Sequence, residues 1–234
     1  MSKSFLGGTL SFLGGIIMDY LLSMLKPMLE GAKMTILLFV IAIAASIPLG
    51  FLLTLAVKSK FKPLSWLAQA YIYIMRGTPL LLQLLFICFG LPMIPVIGEY
   101  LVLDRFTAAC IGFILNYAAY FSEIFRGGLL AIDKGQYEAA QVLGLNKFQT
   151  TTRIILPQMF RVALPAVSNE SVTLVKDTAL LYAVAVPELL HYAQTVVNRD
   201  FTIVPFLVAG VIYLLITLIL TVFFKLLERR FKFE

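Results

Sequence analysis

Glu138-Ala-Ala-Gln-Val-Leu-Gly144-Leu-Asn-Lys-Phe-Gln-Thr-Thr-Thr-Arg-Ile154-Ile-Leu156-Pro157 is a hydrophilic interruption in a strongly apolar chain. It reads as two short helices joined at Gly144, the residue type that turns left-handed just past a helix end. Asn146 is placed to cap the second helix, with Gln149 three residues on in the reciprocal position of a capping box. Pro157 is expected to end that helix, because it lacks an N–H and clashes with the preceding turn. A compact soluble helix pair therefore sits between long hydrophobic segments.

Those segments set the class. The 234 residues are 60% hydrophobic and only 14% charged. A soluble domain of this size cannot hide so much apolar surface, so the solvent is lipid and the fold is all-α. The net charge of +6 does not point to nucleic acid, since the basic residues cluster in short loops, the pattern of cytoplasmic loops in membrane proteins. Cys88 and Cys110 lie in apolar runs and read as buried thiols. One histidine and no cysteine cluster leave no metal site to expect. The N-terminus lacks a small-x-small cleavage signal and is expected to be retained.

Residues 10–25 are apolar but carry Asp19 and end at Lys26-Pro27, which predicts an interfacial helix. The first span runs from Met34 to Val57, closed by Lys58, Lys60 and Lys62. For residues 64–75 two readings compete: one kinked span, or a membrane-surface helix followed by a span from Thr78. The second is favoured, with Thr78 as cap and Pro79 in the first turn. Further spans are predicted over Pro79 to Val96, Thr107 to Phe125, Val162 to Ala183 and Pro205 to Phe224. The segment from Val184 to Val204 has an apolar start that is allowed to dip into the membrane. With the N-terminus outside, the outer segments hold Lys3, Lys26, Lys33, Arg105 and Arg199; every other Lys or Arg except Lys176 falls on the cytoplasmic side. The expectation is a polytopic protein with five transmembrane helices, N-terminus outside and C-terminus cytoplasmic. Residues 1–33 form an extracytoplasmic or interfacial segment, 34–229 the transmembrane domain with a cytoplasmic loop at about 130–157 between spans 3 and 4, and 230–234 the basic tail end.

No phosphate-cradling Gly-x-x-x-x-Gly-Lys-Ser/Thr is present, and no nucleophile–histidine arrangement is credible with one histidine. The chain reads as a pathway and not an enzyme, with no catalytic residues. Glu170 is the sharpest intramembrane candidate. It lies about 12 Å along its helix from Val162, where a carboxylate needs a cation, a proton or a wet cavity. The ammonium of an amino acid would serve, and so would an inter-helix bond. Asn116, Tyr120 and Glu123 make one polar stripe that must face protein or water. Asn116 suits a ligand or an inter-helix bond; Gln83 is a further candidate. Lys176 and Asp177 read as structural, pairing, snorkelling or stabilising the bend at the outer end of their span.

Glu138-Ala-Ala, three residues, Gly144, nine residues, Ile154-x-Leu156-Pro157 resembles the cytoplasmic signature of the membrane subunits of bacterial ABC importers. Arg76-Gly-Thr-Pro-Leu-Leu-Leu-Gln83, Asn116-Tyr-Ala-Ala-Tyr-Phe-Ser-Glu123, Ile132-Asp-Lys-Gly-Gln136, Leu174-Val-Lys176-Asp177-Thr178 and Val186-Pro-Glu188-Leu resemble the polar amino acid permease branch. One departure is Ala179-Leu180 where the branch commonly has Ser-Leu. The resemblance implies a permease subunit in the bacterial inner membrane that forms the translocation pathway. Glu138, Ala139, Ala140, Gly144, Ile154, Leu156 and Pro157 would couple it to two ATP-binding subunits, which would hold ATP and Mg, with no cofactor in this chain. An extracytoplasmic amino acid-binding protein and a second copy, as a homodimer, are the other implied partners, with Glu170, Asn116 and Gln83 toward the amino acid. A secondary transporter or channel not driven by ATP is the alternative, weakened by the absence of evident inverted repeats. A non-transporting membrane scaffold is a second.

Overall fold

The computed structural model describes residues 2–231, with side chains from Met18 onward, and all of the described secondary structure is helical. The side chain of Lys3 and residues 232–234 of the expected tail lie outside the described residues. Among the described residues, three helices are long and apolar enough to cross a membrane, or up to five if each of two bent helix pairs is one span.

Helix α1 is continuous from Ser2 to Val57 and contains both Pro27 and Pro48. The predicted stop at Lys26-Pro27 is therefore wrong: the interfacial segment and the first span are one helix of 56 residues, about 84 Å long at 1.5 Å per residue. Packing outweighs the proline here. Met24 and Met28 on either side of Pro27 are fully buried, in a cluster with Leu189, Ala193 and Val196. Gly31 follows in the same face, where a Cβ would lie 2.7 Å from the Glu188 carbonyl carbon. Lipid-embedded helices tolerate such prolines when neighbours hold the flanking turns.

Helix α2 (Lys62–Gly77) ends in an elbow, and the next segment, α3 (Leu80–Leu85) continued through a π turn to Met93, leaves at 106°. A break at Thr78-Pro79 is thus present, but Thr78 does not cap α3. Its hydroxyl donates backward to the Ile74 carbonyl at 2.9 Å, and Pro79 holds the N-cap position with no side-chain bond. Helix α4 (Arg105–Leu130) starts two residues earlier than the expected third span because Asp104 caps it, accepting from the Thr107 N–H at 3.0 Å. Hydrogen bonding from Thr107 also holds the Asp104 carboxyl below its ordinary range.

The core is built on α4. Phe113, Tyr117, Phe121 and Phe125, spaced four apart, stack as a ladder with neighbouring centroids 6.2–6.5 Å apart. Phe51 of α1 and Phe160 of α7 (Leu156–Asp177) close on its last ring. Beside the ladder α1 approaches backbone to backbone: a Cβ on Gly50 would sit 2.7 Å from Phe121 Cβ and 2.9 Å from the Ala118 carbonyl. Thr54 seals the contact by donating to the Ser122 carbonyl at 3.0 Å.

After α7 the chain tightens into a 3-10 segment, Thr178–Val184, and reverses at Ala185, whose φ is +56°. Helix α8 (Leu189–Asp200) then packs on α1 and on α9 (Val204–Phe231). Val184, Val186 and Leu189 are buried in protein, so the apolar start of this segment feeds the core and not the bilayer. Helix α9 keeps most of its apolar surface exposed, the face expected of a helix solvated by lipid. Cys88 is half-buried, Cys110 buried, and both are free.

Replacing Gly50 by Leu forces α1 off the ladder. A loss of about 1–3 kcal/mol of stability is expected, the usual cost of overpacking, read as a lower midpoint of thermal unfolding in detergent. An unchanged midpoint would contradict the close approach.

Candidate functional site

Two regions concentrate polar side chains: the elbow beside α4, and the hydrophilic helix pair.

At the elbow the end of α2 leaves carbonyls that α3 cannot use. Gln83 supplies donors, its Nε2 lying 2.9 Å from the Met75 carbonyl, 3.2 Å from that of Thr78 and 2.8 Å from the Thr78 hydroxyl. Asn116 completes the clamp, donating from Nδ2 to the Met75 carbonyl at 3.1 Å and to Gln83 Oε1 at 3.0 Å. The predicted stripe of Asn116, Tyr120 and Glu123 does face protein, namely the end of α2. Arg76 lies over the Tyr120 ring at 5.4 Å and pairs with Glu123 at 3.4 Å. Arg126 grips the same carboxylate through two bonds of 2.9 and 2.7 Å. Asn116 and Gln83 are thus brought together, but their amides are turned into the elbow.

Glu170 is half-buried on α7, and among the described residues it has no hydrogen bond or ion pair. Arg76, Tyr117 and Asp177 are within its electrostatic reach. Of the structural alternatives for Lys176 and Asp177, a pair between them is not formed: Asp177 accepts from the Tyr117 hydroxyl at 2.7 Å, while Lys176 is exposed. A second buried carboxylate was not singled out in the sequence. Glu188 is fully buried, caps α8 by accepting from the His191 N–H at 2.8 Å, and accepts from the Tyr213 hydroxyl at 2.7 Å. Its signal in the sequence was the Pro187-Glu188 start before an apolar helix, a capping pattern.

The hydrophilic pair consists of α5 (Lys134–Val142), capped by Asp133, and α6 (Lys147–Gln149). Gly144 has φ +75°, and the Asn146–Gln149 capping box is made at 2.9 and 3.0 Å. Pro157 does not end the second helix. The backbone widens into a π turn over Thr150–Ile155 and runs on into α7, so Pro157 sits in the first turn of α7. The wider turn relieves the clash a proline ring makes with the carbonyl four residues back. Glu138, Ala139, Gly144 and Pro157 are exposed; Ala140 and Ile155 are buried, and Ile154 and Leu156 pack on the core. The pair thus has an outer face and a root. The outer face also carries Val142, Leu143 and Phe148, each at least 75% exposed, which the sequence reading passed over. Apolar residues on both sides of the glycine bend were the signal.

Residues 46–233 match the family model described as binding-protein-dependent transport system inner membrane component. The chain is 38% identical to the arginine transport system permease protein ArtQ of Bacillus subtilis (strain 168) over 87% of this chain and 92% of that one. It is 37% identical to the glutamine transport system permease protein GlnP of Escherichia coli (strain K12), over 88% and 93%. Among solved structures it resembles an amino acid ABC transporter crystallised with histidines, with TM-score 0.81 and 32% identity over 89% of this chain and 97% of that chain.

The clamp predicts a measurable coupling. Asn116→Leu and Gln83→Leu should each lower stability by about 1–3 kcal/mol, because each strands a buried polar partner. The double variant should lose clearly less than the sum of the two, since the partners share one bond. Additive losses in denaturant or thermal unfolding would refute the shared clamp.

Proposed function

The chain belongs to the family of inner membrane components of binding-protein-dependent transport systems, and on that footing we propose that it is the permease subunit of an ATP-driven amino acid importer. In this reading five spans cross the membrane, the two bent pairs each contributing one, with the N-terminus outside and the C-terminus in the cytoplasm. The basic clusters on the α5–α6 side and at the end of α9 support this orientation.

The observation that carries the reading is the construction of the helix pair. It is rooted in the core by Ala140, Ile154, Ile155 and Leu156, and offers an exposed face with Glu138 and an apolar tip. Such a piece transmits force: a partner that grips the tip moves α7 through the root. The partner is a pair of ATP-binding subunits, which hold ATP and Mg; this chain supplies no catalytic residue. Gly144 sets the bend and Pro157 fixes the turn where the pair meets α7. An extracytoplasmic amino acid-binding protein delivers the substrate, and a second copy of the chain completes the pathway about a two-fold axis.

Glu170 takes the substrate's ammonium. Its carboxylate has no hydrogen-bonding partner among the described residues, and such a charge at membrane depth is costly without one. Asn116 and Gln83 act from behind, holding the elbow that borders this region. Relatives named for arginine and for glutamine support an α-amino acid as the substrate class.

In proteoliposomes with the ATPase subunits, Glu138→Arg should leave membrane insertion intact and abolish substrate-stimulated ATP hydrolysis; normal uptake would sink the coupling role. Glu170→Gln should cut amino acid uptake about tenfold or more, the loss of one charge-assisted contact, with basal hydrolysis retained. Unchanged uptake would remove Glu170 from the pathway.

A further inference from the structure

The turn that joins α1 to α2 carries Lys58, Lys60 and Lys62 within five positions, all exposed. None of the three side chains has a hydrogen bond or ion pair among the described residues. No Asp or Glu occurs from Gly31 to Gly98, so this stretch brings no counter-charge of its own.

The corner is braced. Ser65 is buried and its hydroxyl donates to the Val57 carbonyl at 2.7 Å, tying the first turn of α2 to the last turn of α1. The Ser59 hydroxyl accepts from the Phe61 N–H at 3.2 Å. Helix α2 buries Ser65, Ala68 and Ile72 on one face. Its other face shows Trp66, Leu67, Tyr73 and Ile74, each 57–81% exposed, and Phe61 is exposed at the turn itself. Lys62 and Trp66 are four positions apart, so they stand one turn from each other on that open face. A row of unpaired cations thus borders a fixed apolar surface.

Charge and apolar surface together choose the partner. An acidic protein surface would satisfy the lysines and leave the apolar face to be covered separately, whereas a bilayer meets both at one boundary. Trp and Tyr favour that boundary, where the ring lies in the apolar layer and its N–H or O–H reaches the headgroups. A zwitterionic headgroup brings its own cation and gains little from the lysines; a headgroup with net negative charge gains from each of them. We propose that the α1–α2 corner docks an anionic phospholipid of the phosphatidylglycerol type, with its phosphate against Lys58, Lys60 and Lys62 and its acyl chains beside Trp66 and Leu67. The leaflet, the inner one, rests on the orientation proposed above; the site itself does not.

Trp66 is the only tryptophan of the chain, so intrinsic tryptophan fluorescence reads this corner alone. The full-length chain is reconstituted in phosphatidylcholine vesicles, and phosphatidylglycerol or phosphatidylcholine with dibrominated acyl chains is added as quencher. Brominated phosphatidylglycerol should reach half-quenching at about one tenth of the mole fraction that brominated phosphatidylcholine needs. Raising the salt to about 1 M should narrow that gap, since the screening length falls to about 3 Å. Replacing the three lysines together, Lys58→Gln, Lys60→Gln and Lys62→Gln, should bring the two lipids level while quenching by phosphatidylcholine stays as it was, which shows that Trp66 still faces lipid. Equal quenching in the unsubstituted chain, a preference that survives the triple substitution, or no quenching by either lipid, the mark of a corner covered by protein, would each overturn the proposal. Quenching is read without transport, so its failure leaves the importer reading untouched.

Discussion

In hydrocarbon a freed backbone carbonyl or amide has no water to turn to, and two interruptions of the helices in the bundle are arranged around that shortage. At the α2–α3 elbow, Gln83 and Asn116 serve the carbonyls that the turn exposes. At the start of α8, Glu188 does the converse, accepting from a backbone amide. The polar side chains at these two breaks are therefore explained first by the backbone they repair. Glu170 stands out against this background because it repairs nothing.

Helix α4 distributes these tasks by angle. One face carries the aromatic ladder and the close contact with Gly50 and Thr54 of α1. A second carries the polar stripe that meets the end of α2. From the ladder itself Tyr117 reaches Asp177 at the end of α7. The elbow, the region of Glu170 and the ladder are thus fixed to one rigid element, so that a shift of α7 is felt at all three.

Local chemistry was legible in the sequence and long-range compensation was not. The capping box at Asn146 and the left-handed Gly144 were read correctly because every partner lies within a few residues. The stripe on α4 was legible from its spacing, though its partners were not, since Met75 and Gln83 are far away in the chain. Three of the misreadings concern proline or its neighbour. Lys26-Pro27 and Pro157 were expected to end helices, yet Met24 and Met28 bind the first into α1, and a widened turn absorbs the second. Thr78 was assigned to the helix ahead, but its hydroxyl found a nearer carbonyl behind. Proline rules describe an isolated chain; packing decides whether the helix survives. The composition fixed the lipid solvent at once, and the division of Glu138, Ala139 and Gly144 from Ala140, Ile154 and Leu156 into face and root had to await the fold.

The π turn over Thr150–Ile155 has a consequence for phase. A turn that holds one extra residue advances the helix azimuth by about 100° relative to an α-helix of the same sequence length. The side from which the hydrophilic pair projects therefore depends on a single inserted residue as well as on the contacts of buried Ala140 and the Gln136–Gln158 bond. Deleting one residue there would leave the caps, the glycine bend and the α7 core intact while swinging the exposed tip to a different compass bearing. Register along the chain thus encodes direction across the membrane surface.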